Sequence, residues 1–273
     1  MRYNRALHIT ILVLFLFSCK KNHTSPVPPL GSPPKILLKD LILPGLPSPY
    51  YHFEYNTDSL VTKAEFDSGL TSYDVLYNGG KISEMRNNII VNHDTLRYIY
   101  DNAGKVAIIV FINDANVTYR HVLFSYDGNL VKEIIWDHKE GNVGFLIDRT
   151  LTFTYYPDGN VKTVFERRPA TTGVPETTSA WEYSQYDNGI NVDDFDLTHD
   201  GIHDHLFLFQ GFRLQKNNPK KETFTGGTIG YSVDYTYTYN SDHTPSLKAG
   251  TLVYTAGPDA GKTFQVSAIY SYY

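Results

Sequence analysis

The chain of 273 residues holds one cysteine, two methionines and two tryptophans. A single thiol excludes an intramolecular disulfide and any all-cysteine metal site. No run of lysine and arginine occurs and the formal net charge is −5, so electrostatic recognition of nucleic acid is not expected. No apolar stretch reaches the roughly 20 residues that a membrane-spanning helix needs. Gly-x-Ser-x-Gly, His-Glu-x-x-His and the phosphate loop are missing as well. The nearest glycine-rich run, Thr225-Gly226-Gly227-Thr228, reads as a hairpin turn. What the chain has instead is tyrosine, 22 of them beside 15 phenylalanines, with 20 glycines and 14 prolines. That is a composition of strands and turns.

The first residues read as an address. Arg2 and Arg5 precede the apolar stretch Ala6 to Phe17, which is the length of a signal-peptide core. It runs into Leu16-Phe17-Ser18-Cys19, which resembles the bacterial lipobox, in which the cysteine is lipidated and becomes the mature N-terminus. Residues 1–18 are thus expected to be a lipoprotein signal peptide, with Cys19 as lipid carrier. Residues 19–49 are read as a tether. Its prolines, from Pro26 to Pro49, fix φ and favour extended chain. Within it, Ile36-Leu37-Leu38 and Leu41-Ile42-Leu43 are apolar enough to dock as an edge strand. Lys20 and Lys21 follow the cysteine, which tilts the expected anchor toward the periplasmic side of the outer membrane.

From residue 50 one pattern recurs: an alternating strand ending in tyrosine, a turn of Asp, Asn and Gly, then a second apolar strand. Leu76-Tyr77-Asn78-Gly79-Gly80-Lys81-Ile82 and Phe124-Ser125-Tyr126-Asp127-Gly128-Asn129-Leu130 are clear copies. The tyrosine anchors 55, 77, 100, 126 and 156 lie 22 to 30 residues apart, room for one hairpin and a return loop. Asn-Gly and Asp-Gly tolerate the positive φ of tight turns. Period-two segments such as Leu151-Thr152-Phe153-Thr154-Tyr155 bury one face and wet the other. Val106 to Phe111 is apolar on both faces. The fold class expected is all-β: an antiparallel meander of about fourteen strands over 50–273, closed or nearly closed like a barrel, with one mainly non-strand or helical insertion near 193–212.

The repeat resembles the tyrosine-aspartate repeats of secreted bacterial proteins. The lipobox at Cys19, the run of Tyr/Asp/Gly hairpins and the order Lys216-Asn217-Asn218-Pro219, Tyr235 to Asn240, Pro245-Ser246-Leu247-Lys248 together resemble a family of Bacteroidota lipoproteins of unknown function. That resemblance implies a porin-like fold over residues 50–273 and brings no activity and no functional residues with it.

Candidate chemistry is sparse. Asp193 to His205 holds five aspartates and three histidines. Asp196 and Asp200 imitate the start of a calcium loop, and His199 and His203 stand four apart, with His205 beyond. Phe207 stands where the loop's bidentate glutamate belongs and Gly201 interrupts a helix, so the segment reads as a solvated turn and no metal or other cofactor is expected. Trp136 and Trp181 could stack on sugar rings, although most aromatics here sit at strand period and belong to a core. Loops 167–180 and 193–205 are the expected contact regions. Together these features point to a non-catalytic, membrane-anchored binding or envelope module, with a glycan or an envelope protein as partner. Two alternatives are a glycan-acting hydrolase with paired carboxylates that leave no local motif and an integral outer-membrane barrel. Against the second, strands such as Thr150 to Thr154 would turn threonine toward lipid.

Overall fold

Turn chemistry decides the topology. Gly79 and Gly80 both have positive φ (59° and 78°), the two-residue geometry that matches strand twist and that side chains with a Cβ avoid. Turns of this kind join neighbouring strands, and among the described residues no crossover helix intervenes. The computed structural model describes residues 36–194 and 213–273. It contains β1 (Leu38–Ile42), β2 (Tyr51–Tyr55), β3 (Val61–Phe66), β4 (Thr71–Asn78), β5 (Lys81–Asn87) and β6 (Thr95–Tyr100). Next come β7 (Val106–Ile112), β8 (Thr118–Asp127), β9 (Leu130–Glu140), β10 (Gly144–Tyr155) and β11 (Val161–Arg168). Then follow β12 (Thr177–Ser184), β13 (Lys221–Gly226), β14 (Ile229–Tyr239), β15 (Pro245–Ala256) and β16 (Thr263–Tyr272). Each strand pairs antiparallel with its sequence neighbours, and β1 pairs with both β2 and β16, so the sheet closes into a barrel.

The all-β meander is as expected, but the strands of the described residues number sixteen rather than about fourteen. One uncounted strand is β1, which lies in the proline-rich stretch read as tether. It is not an edge strand, since it is hydrogen-bonded on both sides. Among the described residues there is no helix. Most of the expected insertion near 193–212 lies outside them.

A single device repeats around the barrel. At the start of the odd strands a bulge inserts one residue: Tyr55 pairs with Val61 while Glu54 pairs with Lys63, and Tyr77 pairs with Ile82 while Leu76 pairs with Glu84. The bulge turns two residues three apart toward the interior. They are Leu38 and Leu41, Val61 and Ala64, Ile82 and Met85, Val131 and Ile134, and Val161 and Val164, all buried. At the first of each pair, a tyrosine at or near the end of the following even strand closes the unit. The hydroxyls of Tyr55, Tyr77, Tyr100, Tyr126, Tyr155, Tyr186, Tyr237 and Tyr272 donate, in that order, to the carbonyls of Leu38, Val61, Ile82, Val106, Val131, Val161, Pro219 and Pro245, at 2.6 to 2.9 Å. Lysines after the turns link one unit to the next. Lys81 Nζ lies over the Tyr100 ring and donates to the Gly104 carbonyl at 3.2 Å, and Lys105 does the same with Tyr126 and Gly128.

These clasps make a testable element. Removing one hydroxyl leaves a half-buried carbonyl without its donor, which costs about 1–3 kcal/mol. Tyr77→Phe is therefore expected to lower the melting temperature by roughly 2–10 °C for a domain of this size. A thermal melt within 1 °C of the parent would show the clasp to be incidental.

The interior is apolar and packed, with Leu41, Tyr73, Met85, Phe111, Ile134 and Leu151 all nearly or fully buried. The outer wall carries charge, including the pairs Lys63–Glu65 (2.6 Å), Arg86–Glu84 (2.7 Å) and Arg97–Glu84 (3.3 Å). Ile108 and Val110, on the second face of the doubly apolar β7, stay half-buried beside Leu123 and His121 of β8.

Candidate functional site

The repeat fails at one place. Where the earlier units put a second apolar residue inside, Pro219-Lys220-Lys221-Glu222 and Pro245-Ser246-Leu247-Lys248 bring a carboxylate and an ammonium. Glu222 is 3% exposed. Its two oxygens accept from the hydroxyls of Tyr231 (3.0 Å) and Tyr235 (2.9 Å), both on neighbouring β14. Lys248 Nζ stands 4.2 Å from the centre of the Tyr235 ring. Gly250 lets that ring lie flat on β15, because a Cβ there would stand 2.7 Å from Tyr235 Cδ1.

The connection from β12 to β13 floors this corner. Asp194 accepts from the Leu214 amide at 2.7 Å, and Asn160 Oδ1 accepts from the amides of Lys216 (3.2 Å) and Asn217 (2.9 Å). Tyr239 donates to Asp187 and accepts from Asn218 Nδ2. Burial, followed by the Asp187 carboxylate, pushes the Tyr239 phenol far up. Between floor and wall lies a recess of about 20 Å³ lined by Asp194, Gln215, Asn218, Glu222, Tyr237 and Lys248, room for about one water. Gln215 Oε1 is buried there with no hydrogen-bond partner among the described residues.

Toward the opposite end, the same inner face carries a row of rings. Trp181 of β12 pairs across to Phe224 of β13, Phe224 to Tyr231 of β14, and Tyr231 to Tyr254 of β15. Ring centroids are 5.0, 4.9 and 6.3 Å apart, and Phe264 of β16 adds a fifth ring at 5.8 Å. Phe264 is 49% exposed, and the other four rings are half-buried. One step toward the rim the side chains shrink to Ser179 and Gly226, which face each other, with Glu166 opposite Ser179. Glu166 accepts from the buried Arg149 at 2.8 Å and lies 2.7 Å from Arg168 Nε. Cross-strand register thus makes a groove: rings on one side, a charged triad on the other, small residues as its floor.

This architecture has solved counterparts. A crystal structure of a porin-like protein from Bacteroides vulgatus matches with a TM-score of 0.59 at 16% identity, over 87% of this chain and 99% of that one. Another porin-like protein, from Bacteroides uniformis, matches with a TM-score of 0.59 at 13% identity, over 82% of this chain and 89% of that one. The fold is porin-like. No family model matches the sequence, and neither does any curated protein.

Within this porin-like barrel the two tryptophans part company. Trp136 is 1% exposed, with the Arg149 guanidinium 4.8 Å from the centre of its ring, so neither face is open to a ligand. Trp181 heads the aromatic row. Cys19 and the cluster Asp196, His199, Asp200, His203 and His205 lie outside the described residues. Of the expected contact loops, 167–180 follows β11 at the groove end. Of 193–205 only Asp193 and Asp194 are described, and they lie at the clasp end. Sequence reading passed over Glu222, Lys248, Phe224, Tyr231, Tyr254 and Phe264. The two charged residues had a signal, since the inward step of the repeat breaks in both of the last units. The rings had none, because pairing across three strand boundaries and a diagonal contact at the fourth bring them together.

Proposed function

We propose that the chain is a lipid-anchored, non-catalytic module of the bacterial cell envelope, held at the periplasmic face of the outer membrane by Cys19 and a proline-rich tether. The observation that carries this reading is the direction of the alternation. A barrel embedded in lipid turns its apolar side chains outward and its polar ones into the lumen. This one packs Tyr73, Phe111 and Ile134 inside and sets Lys63, Glu84, Arg86 and Arg97 outside. The outer wall suits water, which leaves attachment to the lipobox. Metabolic labelling with a fatty-acid analogue is expected to tag the protein, and Cys19→Ser is expected to abolish the tag and move the protein from the membrane to the soluble fraction. Labelling that survives the substitution would overturn the anchor.

A further inference from the structure

We infer that the groove on the inner face of β11–β16 binds a linear oligosaccharide, with its sugar rings laid on Trp181, Phe224, Tyr231, Tyr254 and Phe264. The inference rests on the reading of the chain as a non-catalytic binding module and names its ligand class. Three observations carry it. The first is exposure. Phe66, Tyr73 and Phe111 on the same inner face are sealed, whereas five adjacent strands, β12–β16, each present a ring that keeps contact with solvent. Phe264, 49% exposed, is the most open ring of this contiguous patch.

The second is spacing. Neighbouring strands lie ~4.8 Å apart, close to the length of one pyranose unit, so four rings in register and Phe264 diagonal to Tyr254 offer successive contacts to a chain of sugars. The Phe224 and Tyr231 rings stack 21° from parallel, while the pairs Trp181–Phe224, Tyr231–Tyr254 and Tyr254–Phe264 meet at 50°, 74° and 83°, so the row presents ring faces and ring edges in turn. Tyr231 is held by its hydroxyl bond to Glu222, so part of the platform is fixed before a ligand arrives.

The third is the polar side of the groove. Glu166 and Arg149 are buried together, while Arg168 reaches from Glu166 into the mouth with 42% of its side chain exposed. A sugar matches this division, because its C–H face stacks on rings and its hydroxyls bond to guanidinium and carboxylate. An acyl chain or an apolar peptide in the same place would take water from the charged triad and return nothing. Ser179 and Gly226 keep the floor low. A Cβ on Gly226 would stand 2.5 Å from Ser179 Oγ and 2.7 Å from Phe224 Cζ.

The test uses the full-length chain in mild detergent. Hexamers of β-1,4-, β-1,3- and α-1,4-linked glucose, of xylose and of N-acetylglucosamine are titrated by calorimetry while tryptophan emission is followed. At least one hexamer is expected to bind saturably and to shift the emission of Trp181, since Trp136 is sealed. Phe264→Ala is expected to weaken binding at least tenfold while leaving the melting temperature in place, because that ring is half exposed. Trp181→Leu should abolish binding, and if it does not fold, Phe264→Ala decides alone. Failure of every hexamer at millimolar concentration, or binding untouched by Phe264→Ala, would overturn the inference and leave the lipid-labelling result standing. Uptake of phosphatidylcholine vesicles in place of sugar would also overturn it. Release of reducing ends would instead overturn the non-catalytic reading and support the groove.

Discussion

A chain that begins at residue 45, and so lacks β1, is expected to lose its closed monomeric form. Leu41 is fully buried and Leu38 nearly so, and two buried leucines are together worth about 3–6 kcal/mol. Their removal also strips Tyr55 of its carbonyl acceptor, His52 of its 2.6 Å contact with Asp40, and Ser271 of its bond to the same carboxylate. The combined loss approaches the whole stability of a typical domain. More important, β2 and β16 then each present an unpaired edge, and free edges pair with other molecules. Light scattering coupled to size exclusion is expected to show dimers and larger species, and melting is expected to be early and broad. A synthetic peptide of residues 36–44 should restore the monomer by filling the gap. A monodisperse monomer melting with the full chain would refute the claim that β1 closes the ring.

Between pH 10 and 12 the barrel is expected to unfold cooperatively. The clasp tyrosines are the cause. Burial pushes the Tyr126 phenol up to about 12, with Asp101 adding to it. Burial raises Tyr55, Tyr100, Tyr155, Tyr186 and Tyr272 too. An unfolded tyrosine ionises near 10. The folded state therefore favours the neutral phenol, and the stabilisation is fully present below pH 10 and is lost as pH climbs through the folded values. A phenolate can no longer donate to a carbonyl, so each clasp that ionises also breaks. Melting temperature should stay flat from pH 7 to about 9.5 and then fall steeply. Absorbance of tyrosinate at 295 nm should rise together with loss of the sheet signal in circular dichroism. Titration centred near pH 10 with the sheet signal intact would contradict this account.

Much of the barrel was legible because its signals are local. Asn78-Gly79-Gly80 and Asp127-Gly128-Asn129 mark turns wherever they stand, and threonine alternating with aromatics in Leu151 to Tyr155 marks a strand with one wet face. Other features escaped because a neighbour in space supplies them. Leu38 to Ile42 reads as an edge strand docked from the tether, and its place inside the ring escapes the sequence because β2 and β16 supply the two edges it fills. The bulge breaks the period of two, so the inward pair Val61 and Ala64, three apart, carries helix spacing rather than strand spacing. The fifth anchor shifts by one: Tyr155 makes the clasp, while Tyr156, which carries the repeat in the sequence, donates instead to the Tyr183 carbonyl at 3.1 Å. The groove was legible only as Trp181, since its other four rings come from β13–β16 and only the register of those strands sets them side by side.

The bond from Ser271 to Asp40 spans 231 residues, and that distance sets the order of events as the molecule forms. Each clasped hairpin can assemble locally, its clasp joining residues 16 to 27 apart, on the microsecond scale of hairpins. The seam between β1 and β16 has no such shortcut. It demands the largest loss of chain entropy of any pairing in the sheet and cannot form until nearly the last residue is available. β1 thus meets β2 early and is among the last strands to find its second partner, β16. Until it does, the chain is a curved ribbon with two open edges, the form in which it most needs to be kept from other chains.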